Sequence, residues 1–166
     1  MKGILFQTKR IAFDLDETLL AAIKSAARQE NVTPFIIVLS VLNIALYHWT
    51  REIDIRIGVL LANRGQPVSQ DVMGNFVNTV VLRNFVDVRM TFRQFLKQVH
   101  EGFLAASSNQ ELPFSYLVRV LRNESNINRS DLFQILLSYQ SPSFATNGWP
   151  GITFAPLGWR PRRTPS

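Results

Sequence analysis

Met73-Gly74-Asn75-Phe76-Val77-Asn78-Thr79-Val80-Val81-Leu82-Arg83 is the stretch whose reading decides the fold. In an extended chain, Phe76, Asn78, Val80 and Leu82 face one side, and Val77, Thr79, Val81 and Arg83 face the other. Both faces are mostly apolar and the run is rich in β-branched residues. That is the pattern of an internal strand covered on two sides. Gly74, just before it, lets the backbone turn or approach a neighbour closely. Asn78 and Thr79 are the exception, because polar groups inside a buried strand either bond to neighbouring chain or line a cleft.

Working outward, Ile53, Ile55, Ile57, Val59 and Leu61 alternate and predict a strand, and Asn63, Gly65 and Pro67 mark residues 62–70 as a loop. Further upstream, residues 9–14 predict a short strand with Ile11 and Phe13 on one face. Asp16 then caps a helix whose inward stripe is Leu20, Ile23 and Ala27, with Asn31 ending it. Thr33 followed by Pro34 restarts a helix. From Pro34 to Trp49 that helix is apolar almost all round, which predicts a central, buried element.

Downstream, Thr91 and Gln94 form a capping box, and Phe92, Phe95, Leu96, Val99 and Phe103 recur at helical spacing. Pro113 opens a shorter helix to Leu121, residues 123–130 read as a loop, and Leu132 to Tyr139 reads as a last strand. Residues 141–166, dominated by Pro, Gly and Ser, read as an irregular tail. The order strand, helix, helix, strand, strand, helix, helix, strand predicts an α/β two-layer sandwich with a mixed sheet.

The 166 residues suffice for one domain with a core, and 46% apolar against 18% charged residues indicates a globular chain. The absence of cysteine excludes disulfides and thiolate metal sites. With no signal-like or anchor segment, it fits a cytoplasmic protein without a membrane role. The net charge of +6 is dispersed, and only Arg160-Pro161-Arg162-Arg163 is dense. A solvated tail accounts for that run, and no nucleic-acid motif accompanies it.

The opening stretch resembles the IGxFVNT motif of condensation domains from nonribosomal peptide synthetases, written here as Met73-Gly74-Asn75-Phe76-Val77-Asn78-Thr79. Asn109-Gln110-Glu111-Leu112-Pro113-Phe114-Ser115-Tyr116-Leu117-Val118 is similar to that family's (H/N)QDxPFxxLV. Asn128-Arg129-Ser130-Asp131-Leu132-Phe133-Gln134 is similar to its more degenerate block ending in SRNPLFQ. The three lie in the family's order, and the similarity spans about residues 10–140. The resemblance implies a chloramphenicol-acetyltransferase-like half-domain: a partial C-terminal lobe at residues 1–140, followed by the tail. The parent enzyme would join carrier-bound acyl or peptidyl and aminoacyl thioesters into amides. No cofactor would bind directly, because the substrates ride on the phosphopantetheine of carrier proteins. The implied partners are a peptidyl carrier protein and a complementary N-terminal lobe.

In the family, that other lobe bears HHxxxDG, whose second histidine sits where the amine attacks the thioester. Here the only histidines, His48 and His100, are far apart and in no such motif. No catalytic residue and no metal site is therefore expected in this chain, and the chain alone should form no amide. The lobe bearing HHxxxDG would precede residue 1, so the chain reads as a middle section, excised or truncated, with an exposed apolar face.

The resemblance makes Asn78, Thr79, Arg83 and Arg64 the substrate-tunnel candidates. Asn78 either hydrogen-bonds a carbonyl of the substrate or ties adjacent strands, and Arg64 either pairs across the lobe interface or is exposed. Gly74, Phe76, Gln110, Pro113 and Phe114 read as architectural. A non-catalytic module docking a carrier or a complementary lobe is one alternative. Another is a magnesium phosphatase of the haloacid-dehalogenase type. Ile11-Ala12-Phe13-Asp14-Leu15-Asp16-Glu17-Thr18 matches its DxDxT motif, with Asp14 as nucleophile and Asp16 as general acid/base. That chemistry needs a downstream acidic cluster which this sequence does not offer, whereas a helix cap suffices to explain Asp16.

Overall fold

A computed structural model of the chain describes residues 9–62, 74, 76–125 and 132–140. Asp16 Oδ1 accepts the Leu19 N–H at 2.8 Å and starts α1, Glu17–Gln29. Asn31, at φ 54°, turns the chain out of that helix in the left-handed region, which asparagine tolerates. Thr33 Oγ1 accepts the Ile36 N–H and, with Pro34 at the first helical position, opens α2, Pro34–Thr50. Arg51, at φ 64°, ends α2, its N–H donating to the Tyr47 carbonyl at 2.8 Å. The strands β1, Asp54–Leu61, and β2, Asn78–Phe85, follow. Thr91 and Gln94 satisfy each other's backbone N–H groups at the start of α3, Phe92–Ser108. Then come α4, Phe114–Ser125, and β3, Ile135–Leu137.

The three strands form a mixed sheet in the order β2-β1-β3, with β1 antiparallel to β2 and parallel to β3. Ile55, Ile57 and Val59 of β1 and Leu82 of β2 form one core with Ile36, Ile37 and Leu39 of α2 and Phe95, Leu96 and Val99 of α3. The expected α/β layering of helices on a mixed sheet is therefore what forms. Phe35 of α2 packs its ring against Phe103 of α3 at 5.4 Å and Tyr139 at 6.1 Å, which ties the segment after β3 to the helical layer.

Several expectations are corrected. Residues 9–14 form no strand: Ile11 and Phe13 are 76% and 71% exposed, and two apolar side chains that bury nothing cannot offset the ordering of an isolated extended segment. Among the described residues the opening stretch is an outer strand of this sheet and not an internal one. It begins at Asn78, after Phe76 and Val77, and β1 takes the centre. The helix α2 buries one face and leaves Val41 and Trp49, 52% and 87% exposed, on the outside. A wholly apolar helix loses its amphipathic signal, so its sequence cannot say which face is covered. Phe92 is also exposed, α4 begins one residue after Pro113 and runs beyond Leu121 to Ser125, and the last strand is only Ile135–Leu137.

Two buried asparagines join the layers. Asn43 Nδ2 donates to the Leu39 carbonyl at 2.8 Å, and Asn84 Nδ2 of β2 reaches Asn43 Oδ1 at 3.4 Å. A lone Asn84→Leu substitution strands the Asn43 carbonyl oxygen in the core and should cost about 1–3 kcal/mol. Adding Asn43→Leu removes the orphaned group, so the double variant should recover most of that loss in chemical denaturation. A double variant as unstable as the sum of its parts would contradict this account.

Exposed ion pairs trim the rim. Arg93 grips Glu30 through both carboxylate oxygens at 2.7–3.0 Å, joining the end of α1 to the start of α3. The hydrogen bond from Arg93 holds the Glu30 carboxyl below its ordinary range. The Arg89 hydrogen bond similarly lowers Asp87 to about 2. No single helix among the described residues is long and apolar enough to cross a membrane, and α1 and α2 meet at a bend of 102°.

Candidate functional site

The polar oddity of the opening stretch sits at the first residue of β2, in phase with the core-facing side chains, and opposite Leu61. Asn78 Nδ2 donates to the Gln110 carbonyl at 2.7 Å and to the Leu112 carbonyl at 2.8 Å. Its Oδ1 accepts the Thr79 N–H at 2.9 Å and the Phe114 N–H at 3.2 Å. Both amide hydrogens and both carbonyl lone pairs are thus engaged. The tie runs to the turn between α3 and α4, not to a neighbouring strand. The motif around Asn78 and the motif Asn109-Gln110-Glu111-Leu112-Pro113-Phe114 are one structural unit.

The third motif joins them. The Phe114 ring packs on Phe133 with centroids 5.6 Å apart. The Phe133 ring in turn lies on Gly58 in the middle of β1, where a Cβ would come within 2.7 and 2.8 Å of two ring carbons. Ile57 and Val59 point into the helical core, so alternation puts Gly58 and Phe133 on the opposite face of the sheet. Pro113 supplies the corner. Its carbonyl accepts the N–H groups of Tyr116 and Leu117 at 2.9 and 3.1 Å, which starts α4 as Phe114 is delivered to Phe133.

The remaining candidates divide. Thr79 is half-buried beside Asn78. Arg83 lies further along β2 and grips Asp54 of β1 with Nε and Nη2 at 2.8 and 3.0 Å, its guanidinium 4.8 Å from the Phe85 ring centre. That hydrogen bond lowers the Asp54 pKa and raises that of Arg83. Gly74 is exposed, a Cβ there coming to 3.2 Å of the half-buried Phe76 ring. Arg64 lies outside the described residues. Asp16 is the helix cap, Asp14 is exposed, and no group of acidic or histidine side chains that could hold a metal occurs among the described residues. His48 is exposed on α2 and His100 half-buried on α3.

Reading the sequence as candidate sites missed Gly58, the Leu112 carbonyl and the Asp54 partner of Arg83. Only Gly58 left a signal, since a glycine inside a strand pattern marks a close approach of other chain.

The chain is 32% identical over 152 residues to bacitracin synthase 1 of Bacillus licheniformis, covering 92% of this chain and 3% of that protein. Against the phosphinothricin tripeptide synthetase PhsC of Streptomyces viridochromogenes it is 35% identical over 126 residues, covering 76% and 12%. Among solved structures it superimposes on a four-domain nonribosomal peptide synthetase bound to AMP and glycine. There the TM-score is 0.69 and the identity 27%, over 77% of this chain and 10% of that one. It also matches the condensation domain of the monacolin K polyketide synthase MokA, with a TM-score of 0.65 and 25% identity over 74% and 29%. The chain therefore spans a small part of each of these relatives. Those neighbours confirm the chloramphenicol-acetyltransferase-like α/β fold. With the three motifs joined in one node and residues 3–147 matching the condensation-domain family model, the chain belongs to the condensation-domain family.

Proposed function

We propose that residues 1–140 are the C-terminal lobe of a condensation domain whose parent joins carrier-bound acyl or peptidyl and aminoacyl thioesters into amides. The observation that carries this reading is the convergence of Asn78, Phe114 and Phe133, one from each family motif, on a single node. In this reading the imidazole that meets the attacking amine comes from a complementary lobe bearing HHxxxDG, covalently continuous or separate. Substrates arrive on the phosphopantetheine of peptidyl carrier proteins.

Thr79 and Arg64 are proposed to face the substrate cleft. Arg83 belongs to the same group only when it leaves Asp54, and Asn78 contributes through the turn it holds. A general acid/base must lie within hydrogen-bond reach of the reacting group, and neither His48 nor His100 belongs to this node.

The test mixes this chain with a separately produced HHxxxDG lobe and two loaded carrier proteins, and follows amide product by mass spectrometry. Product is expected only when both lobes are present. Amide formed by this chain alone would overturn the assignment, as would failure of any such lobe to bind or to support product.

A further inference from the structure

We propose that residues 9–14 of one copy of the chain add as a parallel strand to the outer edge of β2 in a second copy. This goes beyond the amide-forming assignment and does not depend on it. The chain holds both halves of such a contact. Ile11 and Phe13 alternate as in a strand, yet they are 76% and 71% exposed in a segment that forms none. Among the described residues β2 has a strand partner, β1, on one edge alone. Its sequence, Asn78-Thr79-Val80-Val81-Leu82-Arg83-Asn84-Phe85, holds neither lysine nor proline, residues that commonly blunt such an edge.

Side-chain chemistry selects one register. Set parallel with Asp14 beside Arg83, the segment puts Phe13 beside Leu82, Ala12 beside Val81 and Ile11 beside Val80. Ile11 and Phe13 then lie on the helical face of the sheet, where Leu82 belongs to the core and Val80 packs against it. Asp14 falls on the other face with Arg83. Arg83 holds Asp54 through Nε and Nη2, and its guanidinium has further N–H groups for a second carboxylate. The antiparallel alternative with the same ion pair sets Phe13 beside the buried Asn84 and Ile11 beside Val86, past the end of β2. Within one copy residues 9–14 pair with no strand, so the partner is a second copy. Two such exchanges, one in each direction about a two-fold axis, close the assembly as a dimer.

The chain has no cysteine, which makes crosslinking at chosen positions specific. Neighbouring strands hold facing Cα atoms about 5 Å apart, within disulfide range. Ala12→Cys and Val81→Cys chains carrying tags of different length are mixed under mild oxidation, and the mixed disulfide is expected. Ala12→Cys with Leu60→Cys, at an exposed position on β1, should give little. In sedimentation velocity the unaltered chain should dimerise as its concentration rises toward about 1 mM, the range of a small, weak interface. Phe13→Asp alters a side chain exposed in the monomer and should weaken the dimer at least about tenfold. Val41→Asp, on the exposed face of α2, should leave it unchanged. The proposal is overturned by a chain that stays monomeric over the whole range, or by a dimer that Phe13→Asp weakens no more than Val41→Asp does. Equal crosslinking of position 12 to positions 60 and 81 would overturn it as well.

Discussion

Replacing Gly58 by alanine should lower folding stability by about 1–3 kcal/mol in a denaturant titration, the usual cost of forcing atoms into a filled interior. In most strands the same change helps, because glycine loses more backbone freedom on folding and has no side chain to pack. Here the added methyl would stand 2.7–2.8 Å from two carbons of the Phe133 ring and 3.0 Å from Leu136 Cδ1. The leucine tip can rotate away. The ring is held by Phe114, 5.6 Å from it, and cannot yield without loosening the node. Removing the ring should therefore change the sign. Phe133→Ala is itself destabilising, but in that background a methyl at position 58 meets first the movable tip of Leu136 in place of a held ring. The double variant should be more stable than the sum of the two single losses by an interaction energy on the order of 1 kcal/mol. Strict additivity would show that the ring is not what excludes a side chain from β1.

The larger loss is expected one residue earlier. Ile57 is fully buried, paired with Leu82 on one side and Ile135 on the other. Truncation to alanine removes its contacts with the helical layer and leaves a cavity between two strands, for about 2–5 kcal/mol. Val80→Ala, on the same face of β2 but at the sheet edge and only half-buried, should cost about 1–2 kcal/mol. Midpoints compared at unchanged denaturant slope measure the difference. If β2 were the central strand, the order of the two losses would reverse.

Local chemistry was legible from the chain alone. Asp16, Thr33 and Thr91 each accept the N–H three residues ahead, and Gln94 accepts that of Thr91, so those helix starts could be read without knowing any distant neighbour. The alternation in β1 and β2, the order of elements, and the three motifs that carry the family are also written along the chain. The same holds for the absence of an HHxxxDG motif from these residues.

Tertiary structure decided what depends on segments distant in sequence. Both faces of β2 read as apolar, yet β1 is central because Phe133 arrives on Gly58 and β3 pairs alongside. The apolar helix α2 looked buried all round, but α1, α3 and the sheet together leave Val41 and Trp49 exposed on it. Asn78 could have bonded a strand, a ligand or a turn, and only the docking of residues 110–114 selected the turn. Side-chain periodicity is fixed by the backbone of each element, whereas which face is covered, and which partner a polar group meets, is fixed by whatever other part of the chain comes to lie against it.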